Sequence, residues 1–117
     1  MRGAACLDQA RATLSRTAAV TVTCRAAHDC TATPSTALNA SAMALIDATA
    51  ARLQHCWRQA GLTTIVKIDV PAHMSVTVRR YTVAGKQAGA PVCTIALFPP
   101  FRGAKLVSSF RAQCRTR

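Results

Sequence analysis

Residues able to do chemistry come together at one place in this sequence, where Cys24, His28 and Cys30 lie within seven residues. Two thiolates and an imidazole suit Zn²⁺, but a structural zinc site takes four ligands, and the usual second pair of closely spaced cysteines is missing. Cys114 or His73 would have to complete the site. We therefore predict that Cys24 ends a strand, that His28 lies in a loop, and that the chain holds no metal or other cofactor.

The other side chains of catalytic type are scattered. His55 and Cys56 are neighbours on a predicted helix, so their side chains diverge by about 100° and cannot form a nucleophile–base pair. The four acidic residues are all Asp and fall in separate elements, which leaves no carboxylate pair for acid–base chemistry. Gly85-Lys86 lacks the further glycine and the Ser or Thr of a phosphate-binding loop. The sequence predicts no enzymatic activity and no small-molecule substrate.

Positive charge dominates the composition. The 117 residues include 15 Lys and Arg against four acids, for a net charge of +11, and no acid follows Asp69. Concentrated positive charge repels itself unless a polyanion neutralises it. Most of the cations are Arg, whose planar fork suits phosphate oxygens. We predict a nucleic-acid partner; the alternatives are a solvated cationic surface or an acidic membrane surface.

The sequence contains no apolar run long enough to span a membrane. Its first 25 residues carry four Arg, with Asp8 as their only acid. This composition is typical of a mitochondrial targeting segment, which we expect to be retained. The predicted location is therefore mitochondrial, with the cytoplasm as the alternative.

The six cysteines of the chain have two interpretations. An even number in a short chain is compatible with a disulfide framework. However, the spacing is irregular, no signal-peptide core is present, and Cys56 and Cys93 fall in apolar periodic segments where a free thiol behaves as a small hydrophobe. We predict reduced cysteines, with the disulfide framework as the alternative.

Hydrophobic periodicity divides the chain into elements. Its first half is predicted to contain a basic N-terminal arm over 1–18, a strand over 19–24, a loop over 26–36 and a helix over 38–60. Gly61 supplies the left-handed residue that ends the helix. The second half contains a strand over 63–70, stopped by Pro71, and a long β-hairpin over 75–98. The hairpin strands are 75–83 and 91–98, joined by a mobile basic tip over 84–90.

A strand–helix–strand unit followed by a hairpin predicts an α+β fold in which the helix covers one face of the sheet. This two-layer sandwich occupies residues 19–107, with a basic C-terminal tail over 108–117. The other sheet face stays open to a partner. Cations along an extended hairpin can follow a phosphate backbone, and Tyr81 can stack on a base. The alternative is an ordinary solvated edge, where cations block edge-to-edge pairing.

Four segments of the sequence carry a family resemblance: VTVTCRAAH at 20–28, LIDATAARL at 45–53, VRRYTV at 78–83 and FRGAKLV at 101–107. Together with the Val70-Pro71 step they resemble the ribosomal protein S-ten (NusE-type) family over residues 19–107. The resemblance implies a ferredoxin-like domain whose long hairpin reaches into ribosomal RNA. It places RNA contacts at Arg79, Arg80, Arg102 and Lys105. The family's second helix and last strand have no room before the end of this sequence, so we expect a shortened version.

The predicted function is that of a structural constituent of a ribosome, with ribosomal RNA and neighbouring ribosomal proteins as partners. A mitochondrial ribosome is favoured, in either subunit. One alternative is an accessory protein-interaction subunit of another mitochondrial complex, and another is a secreted, disulfide-stabilised binding domain. The residues predicted to bind RNA are Arg79, Arg80, Tyr81, Lys86, Arg102, Lys105, Arg111 and Arg115.

Overall fold

Two helices and six strands make up the part of the protein that the structure describes. The computed structural model describes residues 2–36, 39–69, 80–98 and 108–115, with the backbone alone at residues 2, 68, 69, 80 and 81. In chain order the elements are α1 (Arg2–Leu14), β1 (Val20–Ala26), β2 (Asp29–Pro34), α2 (Ala40–Gln59), β3 (Thr63–Asp69), β4 (Arg80–Gln87), β5 (Ala90–Phe98) and β6 (Ser109–Cys114).

The six strands form one antiparallel sheet in the order β1-β2-β6-β5-β4-β3. Every neighbouring pair is antiparallel, so β2 and β3 run in the same direction. Helix α2 is the crossover between them, while α1 packs beside α2 and against the sheet. The predicted α+β two-layer sandwich is confirmed. No helix in the described ranges is both long enough and apolar enough to cross a membrane.

Helix α2 forms where the sequence predicts it. Its buried positions recur at helical spacing, and they are Ala42, Met43, Ile46, Thr49, Ala50, Leu53 and Trp57. Asn39 caps the helix by accepting a hydrogen bond from the Ala42 amide, and the chain leaves it through Gly61 at φ +90°. The stripe packs on the buried strand residues Val83, Ile95, Leu97, Phe110 and Ala112.

Both ends of the described chain belong to the core, which corrects two predictions. Residues predicted as a basic arm form α1, whose Leu7 and Leu14 are almost fully buried. Residues predicted as a basic tail include β6, which lies inside the sheet between β2 and β5. The predicted loop over 26–36 contains β2, which pairs with both β1 and β6. Alanine and threonine make up much of α1 and β2, and their weak hydrophobic contrast conceals the periodicity there.

The β4–β5 hairpin turns more tightly than predicted. Its turn consists of Ala88 and Gly89, at φ +52° and +81°. Two successive positive φ values fit a two-residue type I′ turn, whose twist matches that of the flanking strands. Lys86 therefore lies within β4, paired with Pro91, and the prediction of a mobile tip over 84–90 is wrong. Residues 75–79 of the predicted hairpin lie outside the described residues.

All six cysteines form disulfides, so the prediction of reduced cysteines is wrong. Cys6–Cys56 joins the two helices. Cys24–Cys30 links paired positions of β1 and β2, and Cys93–Cys114 does the same for β5 and β6. Sequence spacing conceals these pairs because the sheet register, and not proximity along the chain, brings most of the sulfur atoms together.

Candidate binding face of the sheet

The sheet face opposite the helices carries small and polar side chains. Residues paired across strands share a face, and successive residues alternate between faces. Counting from the buried Val83, Ile95 and Ala112 therefore places their chain neighbours on the other side. We call this side the open face; it carries Thr21, Thr23, Asp29, Thr31, Thr33, Ile65, Lys67, Thr82, Ala84, Lys86, Thr94, Ala96, Arg111 and Gln113. Most of these side chains are those of threonine and alanine, so the sheet surface between the longer, charged ones is covered only by short groups.

Arg111 lies at the centre of the open face and is held by Asp29. Its Nε donates to Asp29 Oδ1 at 3.1 Å and its Nη2 to Asp29 Oδ2 at 3.0 Å. With its amide turned to present the oxygen, Gln113 accepts from the same Nε and Nη2 at 2.8 and 2.7 Å. Such two-pronged, charge-assisted contacts fix the plane of the guanidinium.

The same contacts set the charge state of the pair. The hydrogen bond from Arg111 holds the pKa of Asp29 below its ordinary value of 3.8; the charges of Arg111 and Arg25 lower it further, while burial opposes the shift. In return, the hydrogen bond to Asp29 raises the pKa of Arg111. Both groups are therefore ionised near neutral pH.

Two open depressions lie on this face. Arg111 lines one of them with Thr82, Thr94, Ala96 and Gln113. The other, at the end of β5 and β6, is lined by residues 91–94 and 113–115 and includes Arg115. Their hydroxyl, amide and guanidinium groups can donate hydrogen bonds to oxygen atoms of an acidic partner.

Further cations surround Arg111 without a carboxylate of their own. Arg25, Lys67 and Arg115 are exposed and Lys86 is half-buried. Among the described residues, the salt bridges of lysine and arginine are those of Arg11 and Arg111, so none of these four cations has a carboxylate within ion-pair distance there. Asp29 is the acid placed among them, and Arg111 already neutralises it.

The structure brings together three of the residues predicted to bind RNA. Lys86, Arg111 and Arg115 lie on or at the end of the open face. Arg111 is the one of the three that forms an ion pair with a described residue, Asp29, and its contact with RNA stays a prediction.

The other predicted residues fall elsewhere. Arg80 and Tyr81 lie in β4, paired with Asp69 and Ile68 at the end of the sheet away from the β4–β5 turn. Arg79, Arg102 and Lys105 lie outside the described residues.

Sequence reasoning missed Arg25 and Lys67 as members of this surface. Lys67 falls in a strand that was predicted, and its alternation with Val66 was the available signal that it faces away from the helices. Arg25 gave no such signal, because β1 is irregular between Cys24 and Ala26 and its alternation is interrupted there.

A second group of titratable residues joins α1 to the β1–β2 turn. Asp8 Oδ1 lies 3.6 Å from both Arg11 Nη2 and His28 Nε2. The Nδ1 atom of His28 is buried without a hydrogen-bond partner in the described ranges. The neighbouring Cys24 and Cys30 form a disulfide with each other, so neither provides a thiol nucleophile beside Asp8 and His28. No group of three possible metal ligands occurs among the described residues.

Comparison of the chain with protein-family models, with curated proteins and with solved structures gives no match. The resemblance to the ribosomal S-ten family therefore stays a prediction from short sequence segments.

Proposed function

We propose that this chain is an exported, disulfide-stabilised domain that binds an acidic macromolecule through its open face and performs no catalysis. The observation that carries the proposal is the pairing of all six cysteines. Disulfides form and persist in oxidising compartments and are rare where glutathione and thioredoxin keep thiols reduced. The three bridges tie helix to helix and strand to strand, so they are part of the framework of the fold.

The electrostatics of the open face support a binding role. Four cations lack a carboxylate partner in the described part of the chain, and the surface between them is built from threonine and alanine. A face of short side chains lets a partner approach the backbone closely, while the cations raise its local concentration and rate of association. A net charge of +11 favours an acidic partner over a neutral one.

The ribosomal hypothesis remains a prediction, and the disulfides count against it because translation takes place in reducing compartments. The aromatic residue that the strand alternation places on the open face is Phe98, at the end of β5 away from the β4–β5 turn, so the described centre of the face offers no ring on which an unpaired base could stack. An acidic protein or polysaccharide outside the reducing compartments fits these observations better than ribosomal RNA.

Thiol alkylation tests the proposal. Protein from its native cells is quenched in acid, denatured without reductant and alkylated, and its mass is compared with that of a reduced sample. We expect no alkylated cysteine before reduction and six after it, with peptide mapping returning the pairs 6–56, 24–30 and 93–114. Six thiols already reactive before reduction, together with RNase-sensitive sedimentation with ribosomal subunits, would establish the ribosomal function instead.

A further inference from the structure

Strand β3 is an edge of the sheet and exposes apolar side chains in both directions. It is the last strand beside β4, and its outer side pairs with no strand in the described ranges. Ile65 is 47% exposed and Val66 is 60% exposed, and these are the large hydrophobic residues that are most exposed in the described part of the chain. Since they are neighbours in a strand, one lies on the open face and the other on the helix face.

The two edges of the sheet differ in their protection. At the opposite edge, β1 has an irregular register between Cys24 and Ala26 and carries Thr21, Thr23 and Arg25. Irregularity, polarity and charge are the usual means by which an edge avoids pairing with other chains. Strand β3 instead pairs with β4 over seven successive residues without a shift, which leaves a regular row of outward N–H and C=O groups.

We propose that β3 receives an extended, acidic segment of a partner protein as a seventh, antiparallel strand of the sheet. Main-chain hydrogen bonds to the outer side of β3 would supply much of the affinity, and alternate side chains the specificity. On the helix face an apolar residue of the segment contacts Val66. On the open face a carboxylate reaches Lys67. The partner's acidity is the one element of this inference that rests on the proposed function.

The charge of the chain argues against a second copy as the occupant. Two copies would each bring a net charge of +11 to the contact. Antiparallel self-pairing centred on Lys67 would place the two ammonium groups opposite each other, where like charges are destabilising. Centring it on Val66 would place each Lys67 opposite an apolar Ile65. An acidic segment satisfies the hydrogen-bonding edge, the apolar side chains and the lysine together.

A synthetic peptide of about nine residues with alternating valine and glutamate is the probe, since it matches the length and alternation of a typical strand. Its affinity is measured by fluorescence anisotropy. Amide hydrogen exchange of the bound protein is expected to show added protection in β3 and none in β1. A peptide N-methylated at alternate positions keeps the charge and side chains but loses main-chain donors, and we expect it to bind at least about tenfold more weakly.

Val66→Lys is the decisive variant, and Ala12→Lys, at an exposed position of α1 on the side of the sheet away from the open face, is its control. Both variants add one positive charge and therefore have the same net charge. We expect Val66→Lys to weaken binding about tenfold and Ala12→Lys to change it less than about twofold. Because Val66 is largely exposed, the variant should keep the near-ultraviolet circular dichroism spectrum of the parent.

The outcomes separate this inference from the proposed function. If the N-methylated peptide binds as tightly as the unmethylated one, or if the two variants bind the peptide with equal affinity, strand pairing at the edge is overturned. Binding of an acidic partner to the open face would then still be possible. Concentration-dependent dimers without peptide, abolished by Val66→Lys, would identify a second copy as the occupant and overturn it as well. If alkylation finds free thiols while the peptide still binds at β3, the proposal of an exported domain is refuted and the binding site at the β3 edge is retained.

Discussion

Gly85 of β4 contacts the indole ring of Trp57 on α2 closely enough that a methyl group has little room between them. A Cβ atom at Gly85 would lie 3.3 Å from Trp57 Cε3 and 3.3 Å from Leu62 Cδ1. Trp57 is fully buried, and its Nε1 donates to the Gly3 carbonyl at 3.3 Å. The indole thus joins the start of α1, the end of α2 and the sheet.

This contact predicts that Gly85→Ala is destabilising, although alanine is the better strand residue. Overpacking of a well-packed core typically costs about 1–3 kcal/mol, and the ring has α1 behind it and cannot easily move away. Urea unfolding followed by the fluorescence of Trp57, the single tryptophan, measures the loss directly. Thr82→Ala on the open face of the same strand is the control. A free energy of unfolding equal to that of the parent would show that the ring shifts freely.

The β4–β5 turn offers a stabilising substitution. Ala88 adopts φ +52°, a left-handed conformation that costs a residue with a Cβ about 1–2 kcal/mol and that asparagine tolerates. Ala88→Asn creates the Asn-Gly pair preferred in type I′ turns, so we expect the free energy of unfolding to rise by about 1 kcal/mol. Thermal unfolding of this variant is compared with that of Ala90→Asn, which lies in β5 and should gain nothing. Equal melting temperatures would contradict the assigned turn.

The disulfides should differ in their contribution to stability. In the chain-entropy description a bridge stabilises more when it closes a longer loop. The separations are 50 residues for Cys6–Cys56 and 6 for Cys24–Cys30. Replacing the first pair by serine should therefore cost about 4 kcal/mol, and replacing the second about 2 kcal/mol. Denaturant titrations of the two double variants give the order, and the reverse order would mean that loop entropy is not the main contribution.

The ion pair between Asp29 and Arg111 predicts a pH dependence of stability. The pKa of Asp29 is lowered in the folded protein from its ordinary value of 3.8, so the folded state binds the proton less tightly than the unfolded chain does. The resulting stabilisation is fully present above that ordinary value and is lost as the pH falls through the lowered pKa. Asp29→Asn should therefore be less stable than the parent at neutral pH, with a difference that shrinks in acid. Urea midpoints across this range test it, and a constant difference would exclude the carboxylate as its source.

The helices and strands that could be predicted from the sequence are those with a clear hydrophobic periodicity. The spacing from Ile46 to Trp57 predicts α2, and Gly61 marks its end. The alternation after residue 63 predicts β3. Alpha-plus-beta layering follows from these patterns alone. In α2 and β3, large apolar residues alternate with polar ones at the spacing of a helix or a strand, so the buried face can be recognised in the sequence.

The rest of the fold was hidden because small residues lack hydrophobic contrast. In α1 and β2, alanine and threonine serve buried and exposed positions alike, so the pattern resembles a loop. The disulfides and the pair between Asp29 and Arg111 depend on how the elements pack and pair, and β6 pairs with β2, a strand far from it in the sequence. No local signal carries that information. The prediction of RNA as the partner rests on the composition, on the cations of the hairpin and on the family resemblance, and it stays a prediction.

Binding through the open face predicts that cations there matter more than equal charges elsewhere. The double variant Lys86→Gln with Arg115→Gln removes two charges from this face, and Arg16→Gln with Arg52→Gln removes two exposed charges from α2 and from the turn after α1. Both variants have the same net charge, so long-range attraction falls equally. Ion pairing with a polyanion releases counterions, so removing one cation that binds it lowers the slope of log affinity against log salt by about one.

Affinity for polyglutamate, measured over a series of salt concentrations, separates the two variants. The open-face variant should bind more weakly at low salt and show a slope smaller by about two, while the control keeps the slope of the parent. The β3 edge is unaltered in both proteins, so any difference belongs to the open face. Equal slopes for the two variants would mean that the polyanion senses only net charge, and the open face would then be no binding site.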